Sequence, residues 1–428
     1  MQLSLIDEKS LATLNADDYR APSMEPFCDE IIELLNKVSG YIREDRSSRA
    51  YPDVVTFGFW IRKSSMMALR DRFHAVSNSE TGNSDNDSDA GNILRFGRGT
   101  IFHIAPSNVP VNYAYSLVAG LVCGNVNIVR IPSKDFPQIA IINNAFTKAV
   151  NECETFDKYI HLVRYDRSTA INDFFSAVCD VRVIWGGDNT ISEIRKSPLP
   201  PRSTEVTFAD RYSLAIIDSK MFLDMDDKEK NRFYEEFYND TFLTDQNACT
   251  SPRIVVWTHT DNCETNVGDG KNVGDGKNAE AKEVFWKGFY ELVKSRYEYQ
   301  PIMGVNKLTQ AYLTAAAYGC VMEEMPDNLI YRVKLSEVNA AVMDYKGNSG
   351  FFFEYDCDDL LELKDLCDDL HCQTIGYLGK REDIMPLLRS GIKGVDRIVP
   401  IGKSMDFDFI WDGYNLYERL TRAVDVRV

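Results

Sequence analysis

The sequence predicts an α/β protein whose first large domain is a doubly wound, mostly parallel sheet. Three observations lead there. Between residues 93 and 217, short β-rich runs alternate with amphipathic helical stretches, the order that right-handed βαβ units require. The helical stretches carry boundary signals, with Pro137 at a first turn and Gly124-Asn125 after a last one. Finally, Val181-Arg182-Val183-Ile184-Trp185 runs into Gly186-Gly187-Asp188-Asn189, and a helix begins near Thr190. Strand, glycine turn and helix start form a generic phosphate cradle. A plain turn capped by Asp188 reads the same way, and the full GxGxxG pattern is absent.

In order along the chain, residues 1 to about 75 read as mixed helix and loop, with helical periodicity over 27–35. Residues 76–92 are rich in Ser, Asn, Asp and Gly and read as a flexible surface loop. Strands are expected at 100–104, 127–131, 160–164 and 181–185, and helices at 111–123, 137–150 and 168–179. Further on come a strand at 253–257, a loop at 258–278 and a helix at 279–297. A buried strand at 350–355 and a strand at 396–402 that leads into a turn follow. The loop holds a tandem repeat, Asn266-Val267-Gly268-Asp269-Gly270-Lys271 and then Asn272-Val273-Gly274-Asp275-Gly276-Lys277. Two copies are too few for a stacked calcium-binding array. A duplicated insertion in an exposed loop, which costs little stability, is the simpler reading.

Bulk properties narrow the function classes. The 428 residues suffice for about two or three domains. The formal net charge is −17, from 48 basic against 65 acidic residues. Such a surface repels nucleic acid and anionic membranes, so neither is expected as a partner. No apolar run is long enough to span a bilayer. The first residues lack the basic and apolar regions of a signal peptide. The ten cysteines are scattered, which suits a reducing compartment. The expectation is a soluble, cytoplasmic protein.

The chemistry centres on Asp245-Gln246-Asn247-Ala248-Cys249-Thr250-Ser251-Pro252-Arg253. This segment puts a thiol in a polar turn that leads into an apolar strand, open to substrate yet anchored. Upstream, Pro106-Ser107-Asn108-Val109-Pro110 offers an amide in a proline-framed turn. Thiolate and amide donor are parts that acyl transfer needs. Arg130-Ile131-Pro132-Ser133-Lys134 closes another strand, and carboxyl ends of strands are where open α/β sheets bind ligands. Arg130 and Lys134 there suit the extra phosphate of NADP, or are simply solvated cations. Cys357, Cys367, His371 and Cys372 are zinc-type ligands, but their spacing fits no standard site, and no metal is expected. Cys28, Cys123, Cys153, Cys179 and Cys320 have apolar neighbours and are expected in the core. The histidines accompany no serine or cysteine motif.

The block from His103 through Asn108 and Gly124-Asn125 to Pro132-Ser133-Lys134 resembles the aldehyde dehydrogenase superfamily. More closely, the chain resembles the LuxC-type acyl-CoA reductases. The segments that carry this are Val109-Pro110-Val111-Asn112-Tyr113, Trp185-Gly186-Gly187-Asp188, Lys196-Ser197-Pro198-Leu199-Pro200-Pro201, Phe208-Ala209-Asp210-Arg211-Tyr212, the Cys249 segment, Asp396-Arg397-Ile398-Val399-Pro400 and Ile410-Trp411-Asp412-Gly413-Tyr414. The resemblance implies an aldehyde dehydrogenase-like fold, a Rossmann-type cofactor domain plus an α/β catalytic thiol domain. It implies a helical segment at 1–92, a cofactor domain at 93–244 and a cysteine domain at 245–400. The segment 401–428 would return to the cofactor domain or meet another subunit.

It also implies roles. Cys249 would be the nucleophile and Asn108 the oxyanion donor. Gly186 and Gly187 would lie by the cofactor phosphates, with Arg130, Pro132, Ser133 and Lys134 beside them. Relatives that prefer NAD have an acid after Pro-Ser, so Lys134 favours NADPH. Glu205 stands near the place of the water-activating glutamate of aldehyde-oxidising relatives. It is open between an acid/base for the thiol and a simple strand position. The expected function is NADPH-dependent reduction of a fatty acyl thioester, such as an acyl-CoA, to the aldehyde through an acyl-cysteine. An acyl-protein synthetase or acyl-carrier protein is an expected partner, and a homo-oligomer the expected assembly. Aldehyde oxidation on the same fold, or a catalytically silent acyl-binding subunit, are the alternatives.

Overall fold

The computed structural model describes residues 3–80, 92–106, 109–259, 273–323 and 326–427. The chain divides into two compact units, 1–209 with 409–428 and 210–408. The division falls at 209/210, ahead of the expected 244/245, because the strand that begins at Tyr212 pairs within the second sheet.

The first unit starts with β1 (Leu3–Leu5) and three helices, α1 (Asp29–Glu44), α2 (Pro52–Trp60) and α3 (Lys63–Glu80). The helix α3 runs through Glu80, past residue 76 where a loop is expected from sequence; residues 81–91 lie outside the described residues. Next come β2 (Asn92–Gly97), β3 (Thr100–Ile104), α4 (Asn112–Val122), β4 (Val126–Arg130), α5 (Pro137–Asn151), β5 (Ile160–Arg164), α6 (Thr169–Val178), β6 (Val181–Trp185), α7 (Asp188–Ile194) and β7 (Thr204–Phe208). Six of these strands form one sheet in the order β1-β5-β4-β3-β6-β7, and every pairing is parallel. The chain winds from β3 outward through β4 and β5, then crosses to β6 on the other side of β3. The strand order therefore reverses between β3 and β6, where doubly wound sheets open a crevice at their carboxyl ends. Phe102, Ile104, Ile128 and Ile184 face Ile171, Phe175, Ile191 and Ile194 of α6 and α7 in one fully apolar cluster. Ser168 caps α6 by accepting from the Ile171 N–H. Gly187, not Asp188, caps α7; Asp188 is its first residue.

The second unit holds β8 (Tyr212–Asp218), α8 (Ser219–Leu223), α9 (Asp227–Thr241), β9 (Pro252–Thr258), α10 (Val273–Arg296), α11 (Pro301–Tyr318), β10 (Val321–Met322), β11 (Tyr331–Lys334), β12 (Phe351–Cys357), α12 (Lys364–Asp368), β13 (Cys372–Leu378), α13 (Arg381–Arg389) and β14 (Arg397–Pro400). Its sheet runs β10-β11-β12-β9-β8-β13-β14, with only β10 antiparallel. Strand alternation sorts its core. Leu214, Ile216, Ile254, Val256, Phe351 and Phe353 fill one face, and Ala215, Ile217, Val255, Trp257 and Phe352 the other. The helix α10 begins at Val273, not 279, so the second repeat copy is mostly helical; the first copy lies outside the described residues.

The last segment, with β15 (Ile410–Trp411), β16 (Tyr414–Asn415), α14 (Leu416–Leu420) and β17 (Thr421–Val426), belongs to the first unit. There β17 pairs antiparallel with β2.

Of the five cysteines expected in the core, Cys123 and Cys179 are buried, while Cys28, Cys153 and Cys320 are half-buried. The helix α12 ends at Asp368, so Cys367 and His371 do not share a helical turn. His371 is exposed and meets Asp369 at 3.0 Å. Among the described residues no group of three His, Cys, Asp or Glu could hold a metal, and no helix is long and apolar enough to cross a membrane.

Candidate active site

Cys249 lies in the turn just before β9, at the amino ends of the neighbouring strands β8, β9 and β12, and is half-buried. Asp245 and Gln246 enter the turn in the left-handed region, with φ of 53° and 55°. Non-glycine residues are held there only when their surroundings impose it, and here they do. The buried Gln246 amide donates to the Pro252 and Phe351 carbonyls at 3.1 and 3.3 Å. Its oxygen accepts the Gly350 and Phe351 N–H groups at 2.7 and 3.1 Å. Asp245 is braced by the Tyr297 hydroxyl, and its carbonyl accepts the Ser349 N–H at 3.1 Å. On the other side, Ser213 of β8 donates to the Cys249 carbonyl at 2.8 Å. Gly350 has φ of 90°, and a Cβ there would lie 2.7 Å from the Leu329 carbonyl oxygen, so only glycine lets this loop close on the turn.

Arg253 lies within electrostatic range of the thiol. Arg253 is buried and donates to the Gly347 carbonyl at 2.7 Å and to the Asn348 amide oxygen. Asn348 in turn donates to Asn247 at 2.8 Å. Burial pushes Arg253 down to about 10, against the opposing pull of Cys249 and Asp210, so it remains charged at neutral pH. A fixed positive charge in this place favours a thiolate. None of Gln246, Ser213, Arg253 or Asn348 was assigned a role from sequence. Gln246 and Arg253 stand inside the cysteine segment itself, but Ser213 and Asn348 are distant in the chain and leave no local signal.

The expected cofactor residues all lie in the first unit. Trp185, Gly186 and Gly187 close β6, beside the point where the strand order reverses. Trp185 stacks on Phe208 with centroids 3.7 Å apart and donates its indole N–H to Ser116 at 3.0 Å. Ser116 meets His103 Nδ1 at 2.7 Å, and His103 Nε2 meets the Asn127 amide oxygen at 2.9 Å. Burial lowers His103 to about 4, partly offset by Asn127, so the ring is neutral. With Nε2–H donating to Asn127, Nδ1 must accept from Ser116. His103 therefore does have a serine partner, thirteen residues on and across a strand–helix junction, which no sequence motif reveals.

At the end of β4, Arg130 donates to the Tyr165 carbonyl at 3.3 Å and lies over its ring. Pro132 is buried, whereas Ser133 and Lys134 are exposed. Lys134 rests over Phe136 and forms no ion pair among the described residues. Glu205 sits on β7 opposite Arg182. One of its oxygens binds Arg182 at 2.6 Å and the other Arg195 at 2.7 Å. Ser107 and Asn108 lie outside the described residues.

Two parallel-sheet units, one opening at a strand-order reversal and one carrying an anchored thiol, define an aldehyde dehydrogenase-like α/β protein. Solved structures bear this out for the fold. The chain is similar to an NAD-dependent benzaldehyde dehydrogenase from Corynebacterium glutamicum, with 14% identity, TM-score 0.60 and coverage of 96% of this chain and 88% of that one. It is similar to aldehyde dehydrogenase 21 from Physcomitrella patens, with 12% identity, TM-score 0.59 and coverage of 98% and 88%. An oxidoreductase from Marinobacter aquaeolei matches with 10% identity, TM-score 0.63 and coverage of 98% and 89%. No curated protein matches the chain. The family model of the LuxC acyl-CoA reductases matches residues 29–266, more than half of the sequence, and the chain belongs to that family. Family and fold support an aldehyde-related oxidoreductase and imply a nicotinamide cofactor.

Proposed function

We propose that the protein reduces a fatty acyl thioester to the aldehyde with NADPH, through an acyl group held on Cys249. One observation carries the reading: a half-buried thiol heads a buried strand, in a turn fixed from both sides, within reach of the charge of Arg253. The Cys249 thiolate attacks the thioester carbonyl, a new S–C bond forms, and the carrier thiolate leaves and takes up a proton. When bound, the reduced nicotinamide supplies a hydride to the acyl carbon. Asn108 and the Cys249 backbone N–H hydrogen-bond the oxyanion of the resulting thiohemiacetal, where one donor is typically worth roughly 100- to 1,000-fold in rate. Collapse of that adduct breaks the S–C bond, frees the aldehyde and restores the thiolate.

Gly186, Gly187, Arg130, Pro132 and Ser133 would hold the dinucleotide, and Lys134 its 2′-phosphate. The carrier is CoA, an acyl-carrier protein or a partner synthetase, and the protein works as a homo-oligomer in the cytoplasm. Aldehyde oxidation needs a carboxylate free to take a proton from water. Glu205 is committed to two arginines, which favours reduction and makes Glu205 the counter-charge of Arg182.

The test is intact mass after incubation with a medium-chain acyl-CoA, before and after NADPH. An acyl adduct absent in Cys249→Ala and discharged as aldehyde by NADPH is expected. An adduct discharged only by water would replace reduction with hydrolysis or transfer.

A further inference from the structure

The loop at residues 347–350 is gripped at both ends by buried cations. Arg253 holds the Gly347 carbonyl at 2.7 Å and the Asn348 amide oxygen. Lys307, 1% exposed and the only charged residue of α11, donates to the Ser349 carbonyl at 2.7 Å and to the Leu329 carbonyl at 2.7 Å. Between these grips the loop meets the cysteine turn. The Ser349 N–H donates to the Asp245 carbonyl, the Gly350 N–H to Gln246, and Asn348 to Asn247. Neither cation has a carboxylate in ion-pair reach among the described residues. Ser349 itself has φ of 58°, a conformation that needs outside support.

We infer that Lys307 is a positioning residue for the nucleophile: by pinning Ser349 it fixes the loop that holds the Arg253 guanidinium beside Cys249. This rests on Cys249 being the reactive thiol, as in the proposed function. The groups facing Lys307 are the rings of Tyr299 and Tyr331, with Asp327 and Asp245 at electrostatic range and Tyr297 bonded to Asp245. Burial outweighs the two carboxylates and pushes Lys307 down to about 7. The neutral amine keeps donors for both carbonyls but loses the charge that makes such bonds roughly twice as strong.

The experiment measures iodoacetamide alkylation of the Cys249 peptide from pH 5.5 to 9 in the full-length protein. It needs no acyl substrate, so its outcome is read separately from that of the acyl-adduct test of the reductase reading. In Lys307→Met, the profile should move upward by about one pH unit, because the cation beside the thiol is no longer held in place. The high-pH plateau should stay within about threefold, since a full thiolate no longer needs the cation. Wild type should show a second inflection near pH 7 that Lys307→Met and Lys307→Gln both lack. A folded Lys307→Met with the wild-type profile overturns the inference. Should that variant not fold, Lys307→Gln decides, and an inflection that persists near pH 7 overturns it equally.

Discussion

Replacing Gln246 with alanine should cost the second unit about 4 kcal/mol, at roughly 1 kcal/mol for each of its four buried hydrogen bonds. The partners are backbone groups of Pro252, Gly350 and Phe351, all buried. The left-handed backbone of Gln246 loses its brace at the same time. Against a typical domain stability of about 5–15 kcal/mol this is a large fraction. For a domain of this size it lowers the melting temperature by roughly 10 °C. The assay is urea and thermal denaturation, with Cys249 alkylation followed in parallel. Gln246→Glu sharpens the point, because it keeps the acceptor and swaps the NH2 for an oxygen that faces two carbonyls. Burial raises such a carboxyl above its unfolded value, so the folded state binds the proton more tightly. The deficit should therefore shrink as pH falls and reach its full size once pH passes the folded value. A loss under about 1 kcal/mol in Gln246→Ala, with alkylation unchanged, would refute the argument that this amide is the keystone of the turn.

Glu205→Gln should destabilise the first unit by about 3 kcal/mol, since it leaves the buried Arg182 without its counter-charge. The folded variant should still acylate Cys249, and loss of acylation without loss of stability would restore a catalytic role to Glu205. Lys134→Ala should weaken NADPH binding roughly tenfold and leave NADH unchanged, measured by titration at fixed ionic strength. Equal changes for both nucleotides would detach Lys134 from the 2′-phosphate.

Much of the scaffold can be read in the sequence because parallel strands and amphipathic helices leave local marks. Pro137 at N1 and Ser168 as a cap place α5 and α6 to within a residue or two. Boundaries failed where the local mark misleads. The polar composition after residue 76 and the glycines of the repeat both argue for loop, yet α3 runs to Glu80 and α10 starts at Val273. Once a helix is nucleated, adding a residue costs little, so it can run on through residues of poor propensity. Cys249 was conspicuous because its polar turn runs into an apolar strand. What holds it was not, because Ser213, Ser349 and Gly350 reach the turn only through pairing of β8, β9 and β12, and Lys307 of α11 only through Ser349.

The distribution of buried charge separates scaffold from site in the second unit. Arg332 is matched by Glu354 and Glu323, and Arg211 by Asp396. Among the described residues, Arg253 and Lys307, also buried, form hydrogen bonds to carbonyls and an amide and no ion pair. An unpaired buried cation is costly, and a fold that needed only cohesion would do better with apolar side chains of the same volume. Carbonyl oxygens orient a cation without cancelling its charge. Under the proposed function, the charge that Arg253 keeps would favour the Cys249 thiolate. In a chain of net charge −17, Arg253 is the buried cation that stays charged at this turn, while Lys307, pushed down to about 7, acts one step away through Ser349.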